Sequence, residues 1–64
     1  MEDWKARVFE EREQLNHKIY KLESYLESSV SDQLDEYAKH LLRRQLGAME
    51  EYSYILTERL EEIE

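Results

Sequence analysis

Apolar residues recur at alternating steps of four and three along two long segments of the chain, with one polar cluster between them. In the first segment Val8, Arg12, Leu15, Ile19, Leu22 and Leu26 trace a heptad seam with a single polar interruption at Arg12. In the second, Leu34, Ala38, Leu41, Gln45, Ala48, Tyr52, Ile55 and Arg59 keep the same alternation. Displaced by one residue runs another seam of Leu42, Leu46, Met49, Ser53, Leu56, Leu60 and Ile63. The intervening stretch, Glu27-Ser28-Ser29-Val30-Ser31-Asp32, gathers three serines and an aspartate, which favour caps and turns over helix interiors. The pattern predicts a helix over about 3–28, a turn over about 28–31 and a helix over about 32–62. Ser31 is the expected N-cap of the second helix, with Asp32, Asp35 and Glu36 in its first turn, where the helix dipole favours negative charge. Asp3 is placed to cap the first helix in the same way.

A short turn forces the two helices antiparallel. Simple reflection about Ser29 and Val30 pairs Leu26 with Leu34, Leu22 with Ala38, Ile19 with Leu41 and Leu15 with Gln45. That pairing uses the Leu34–Arg59 seam inside the hairpin. The second seam, Leu42, Leu46, Met49, Leu56, Leu60 and Ile63, is then left to a partner chain, flanked by Trp4, Phe9 and Tyr25 of the first helix. The expected fold is therefore all-α, one antiparallel helical hairpin over residues 1–64 that associates into a homodimeric four-helix bundle or a tetramer.

Size agrees with that expectation. At 64 residues the chain is below the length at which one core comfortably sustains a domain. It has no cysteine, so disulfides and thiolate metal sites are excluded, which leaves self-association as the usual rescue. Lys and Arg number 9 against 16 Asp and Glu, a formal charge of -7, so contact with bare nucleic acid or an anionic membrane is disfavoured. Met1-Glu2-Asp3-Trp4 does not resemble the start of a signal peptide, and no apolar run reaches membrane-spanning length. The expectation is a soluble protein of the cytoplasm.

Catalysis has little footing in the sequence. It carries no glycine-rich phosphate loop, no nucleophile elbow and no paired-histidine zinc motif. Glu13 with His17, and Glu36 with His40, are spaced four apart, as expected of surface pairs that steady a helix. The turn serines have no histidine in a defined relation to them. A non-catalytic protein without metal or cofactor is expected.

Charge patterning says more. Lys39, His40, Arg43 and Arg44 cluster in the second helix, and reflection brings them beside His17, Lys18 and Lys21 of the first. Clustered cations cost stability unless neutralised. Either Asp35, Glu36 and glutamates of a partner subunit neutralise this belt, or it holds an anion, with the guanidinium groups of Arg43 and Arg44 gripping phosphate. Polar residues on the seam assigned to the hairpin interior are the second signal. Gln45, Tyr52 and Arg59 must find hydrogen bonds there, as register-fixing contacts or as a pocket in which a tyrosine stacks on a nucleobase while Gln45 reads its edge. Gly47, the lone glycine, costs about 1 kcal/mol relative to alanine inside a helix, so either a close helix approach or a ligand against its bare backbone is expected.

Residues Arg7 to Leu15, Lys18 to Leu26, and Leu41 through Arg59, with the Gln45, Met49, Tyr52 and Arg59 spacing, resemble a family of short helical-hairpin proteins encoded by tailed phages and prophages. The resemblance implies a viral accessory protein acting inside a bacterial host cell. Two readings of function follow. In the first, the oligomer binds and withholds a nucleotide immune signal, with phosphates at Arg43, Arg44, Lys39, Lys18 and Lys21 and bases on Tyr37 or Tyr52. In the second, an acidic bundle blocks a host defence protein, presenting Glu50, Glu51, Glu58, Glu61, Glu62 and Glu64 as a mimic of a phosphate backbone. A structural oligomer without ligand is the remaining reading.

Overall fold

The computed structural model describes residues 3–62. Helix α1 spans Asp3–Glu27, a 3-10 helix spans Ser29–Gln33, and helix α2 spans Glu36–Glu61. α2 folds back along α1 to form a hairpin measuring 49 × 15 × 12 Å. Among the described residues there is no strand.

The connector is longer than the predicted turn, and its serines do a different job. Ser31, 1% exposed, is not the N-cap of α2. Its hydroxyl lies 3.1 Å from the carbonyl of Leu26 and 2.9 Å from that of Ser28, capping the exhausted end of α1. Ser28 does the same for the Tyr25 carbonyl at 2.7 Å. The cap of α2 is Asp35, whose carboxylate accepts the Ala38 N–H at 2.8 Å. Asp3 is itself the first helical residue of α1. The 3-10 helix thus delays α2 from the expected Asp32 to Glu36.

This longer connector changes which seam of α2 faces α1. Val8, Leu15 and Leu56 form the buried core, with Trp4, Ile19, Met49 and Leu60 packed against it. Leu42 and Leu46 lie half-buried on the same side of α2. The set expected to await another chain is therefore the one that closes the hairpin, and Leu56 has no exposed surface left to offer a partner. Of the other residues in that expected set, Phe9 remains 51% exposed, and Ile63 lies outside the described residues. The seam expected inside is exposed from Leu41 onward, with Leu41 at 40%, Tyr52 and Ile55 at 43%, and Gln45, Ala48 and Arg59 also exposed, while Leu34 and Ala38 beside the connector are half-buried.

Hydrophobic burial explains the exchange. The Leu42–Leu60 seam is almost continuous in large aliphatic side chains, and each one buried contributes about 1.5–3 kcal/mol. Its one polar member, Ser53, donates a 2.6 Å hydrogen bond to Asn16. Burying the alternative seam would have desolvated Gln45, Tyr52 and Arg59, each at a cost of a few kcal/mol if left unpaired, about the scale of burying one aliphatic side chain. Gly47 also departs from expectation, since a Cβ added there would meet nothing within 4 Å. No close approach of helices within the hairpin accounts for it.

Candidate functional site

Two rows of polar contacts tie the helices together and set their register. On one side Asn16 meets Ser53, and Arg12 donates from Nη1 to the Thr57 hydroxyl at 3.1 Å. Thr57 in turn donates to the Ser53 carbonyl at 3.1 Å. On the other side the Tyr52 hydroxyl donates to Glu11. Arg12, the one polar residue of the α1 seam, is held further by Glu13 at 3.6 Å and by the ring of Phe9, 5.4 Å from the guanidinium carbon. Its Nε is buried without a hydrogen-bond partner. Sequence reasoning did not foresee the roles of Glu11 and Asn16. The signal was there in polar residues flanking two facing seams.

The predicted basic belt does not assemble as reflection placed it. Lys39 is drawn to Asp32 at 3.8 Å, with its side chain largely covered, and so serves the connector. Lys18 and Lys21 share a shallow hollow with Glu10, Glu13, Gln14 and His17, all of α1. Arg43, Arg44 and His40 are exposed on α2. Among the described residues, none of Arg43, Arg44, Lys18 and Lys21 has an ion-pair partner. These cations lie exposed on both helices, Lys18 and Lys21 on α1 and His40, Arg43 and Arg44 on α2.

The exposed seam carries the aromatic candidates. Tyr37, Leu41, Gln45, Ala48, Tyr52, Ile55 and Arg59 follow one another along α2 on one open side of the hairpin. Gln45 turns its amide to the sulfur of Met49 at 3.9 Å, a weak contact within its own helix. The acidic candidates Glu50, Glu51, Glu58, Glu61 and Glu62 are also exposed, whereas Glu64 lies outside the described residues. Among the described residues no three of His, Asp and Glu come together as a metal site would require, and no helix is long and apolar enough to cross a membrane.

These features define a small acidic helical hairpin whose open surface carries a tyrosine-bearing, largely apolar stripe and several cations without an ion-pair partner among the described residues. Residues 2–62 match the Sequestin family model, and the chain belongs to the Sequestin family, whose name points to the sequestering of a partner. Neither curated proteins nor solved structures provide a match to the chain.

Proposed function

We propose that this protein is a non-catalytic, self-associating phage protein of the host cytoplasm that binds and sequesters an anionic small molecule, most concretely a nucleotide immune signal. The observation that carries the reading is the combination of exposed, unpaired cations and exposed tyrosines in a member of a family named for sequestration. On a chain of net charge -7, cations left without carboxylate partners are groups kept available for another anion. Arg43, Lys18 and Lys21 meet the phosphates; Tyr37 and Tyr52 offer rings to a base, worth about 1–3 kcal/mol for each stacked base. A sponge needs affinity and abundance, not turnover.

The test is equilibrium binding to a panel of linear and cyclic nucleotides. Reversing Arg43 and Lys18 to glutamate is expected to abolish binding while the far-UV circular dichroism of the hairpin stays unchanged. Unaltered affinity in that variant would refute the assignment. The second reading, an acidic inhibitor of a host defence protein, draws on the exposed run from Glu50 to Glu62. It expects a protein partner whose affinity falls with salt and with neutralisation of those glutamates, whatever stands at Arg43.

A further inference from the structure

We infer that the Leu41–Ile55 stripe of α2 is the surface on which a second copy of this chain docks, antiparallel, about a two-fold axis at Ala48. The stripe is largely apolar and the hairpin leaves it uncovered: Leu41, Ala48 and Ile55 fall on one line along the helix, with Tyr37 and Tyr52 beside them. The buried hydrophobic core is Val8, Leu15 and Leu56 among the described residues, little for an independent domain of this size.

Charge selects the occupant and its direction. Arg44 lies four residues before Ala48 and Glu51 three after it, on the same edge of the stripe and one heptad apart. The first half of α2 carries Lys39, His40, Arg43 and Arg44; the second half carries Glu50, Glu51, Glu58 and Glu61. In a parallel pair the edge carrying Arg44 and Glu51 would lie against the opposite edge of the partner's stripe, so the two charges would not meet. In an antiparallel pair centred on Ala48, Arg44 faces Glu51 of the partner subunit, and Leu41 packs on Ile55 of the partner subunit. The surface is its own complement, which is what an isologous interface requires and what an unrelated partner has no reason to match. The small side chain of Ala48 sits at the crossing and lets the two helices approach.

The pairing has a consequence for the ligand site, and this part rests on the sequestration reading. Within one chain Gln45 and Tyr52 are seven residues, about 10 Å, apart along the axis. Across the two-fold, Gln45 of the partner subunit comes level with Tyr52, on the edge of the stripe nearer α1. The ring that stacks and the amide that reads a base edge are then supplied by different copies, twice per dimer.

The chain has no cysteine, so a single Ala48→Cys is an unambiguous reporter. Cysteines facing each other across the axis have the short Cβ separation a disulfide needs. Under mild oxidation without any nucleotide, A48C is expected to convert to a covalent dimer, whereas S24C, on an exposed position of α1, is expected not to. In sedimentation equilibrium, Glu51→Arg is expected to weaken the dimer about tenfold by setting like charges together twice per interface, and R44E/E51R to recover most of that loss. A monomeric wild-type chain, an A48C that cross-links no better than S24C, or a double variant as weak as E51R would each overturn the interface. Because these readings need no ligand, nucleotide binding by a monomer would overturn the interface and spare the sequestration reading. A cross-linked dimer that binds no nucleotide would do the reverse.

Discussion

Truncating Leu56 and Ile55 in turn separates the two sides of α2, although the residues are adjacent in sequence. Leu56 is fully buried against Val8 and Leu15, so Leu56→Ala leaves a cavity in a core with no slack to collapse into it. Such truncations cost about 2–5 kcal/mol. A single core in a chain this small rarely supplies more than about 3–5 kcal/mol, so L56A is expected to be largely unfolded at 25 °C. Ile55 is 43% exposed in the hairpin, and its truncation is expected to remove about 1 kcal/mol from the hairpin itself. The assay is urea unfolding followed by far-UV circular dichroism at two protein concentrations a hundredfold apart. L56A should lack a folded baseline at both. I55A should unfold earlier than wild type chiefly at the high concentration, where the second copy covers that side chain. Equal losses for the two variants at the low concentration would refute the seam assignment, because they would place Ile55 against α1.

Two further perturbations follow from the local geometry. Gly47→Ala is expected to stabilise the hairpin by about 1 kcal/mol, since the added methyl meets nothing and alanine restricts the unfolded chain. Thermal unfolding reads this as a rise of about 4–8 °C, and a fall would show that the bare backbone at Gly47 is needed by something bound there. Asp35→Ala removes the cap on the Ala38 N–H and is expected to cost about 1 kcal/mol, with Ser31→Ala showing no matching loss of α2 helicity.

Much of the architecture was legible in the periodicity. Both helices, their antiparallel return and the serine-rich connector follow from the spacing of apolar residues and the absence of proline. The α1 boundaries, expected at 3 and 28, fall at Asp3 and Glu27. What misled was the connector. Ser31 and Asp35 are both good capping residues, and only the three-dimensional turn shows that the first serves the end of α1 and the second the start of α2. A reflection rule presumes a two-residue turn, and the 3-10 helix breaks that presumption.

Two adjacent seams on α2 each satisfied the heptad pattern, so periodicity alone did not choose between them. The discriminating signal was chemical: Gln45, Tyr52 and Arg59 belong to the seam that α1 leaves uncovered, and Leu42, Leu46, Met49, Leu56 and Leu60 to the one turned toward α1. The site was less legible than the fold. Tyr37, Tyr52, Arg43, Arg44, Lys18 and Lys21 are all exposed as a binding role needs. Their relative placement depends on the register of the two helices, which periodicity did not fix. Lys39 shows the general difficulty, since nothing in its neighbours along the chain foretold its pairing with Asp32.

Native mass spectrometry of the protein after incubation with a mixture of linear and cyclic nucleotides tests the sequestration reading most directly. The expected spectrum is an even-numbered oligomer carrying nucleotide in fixed stoichiometry, lost when Arg43 and Lys18 are reversed to glutamate. Bare protein at every nucleotide concentration, or adducts that persist in that variant, would contradict it.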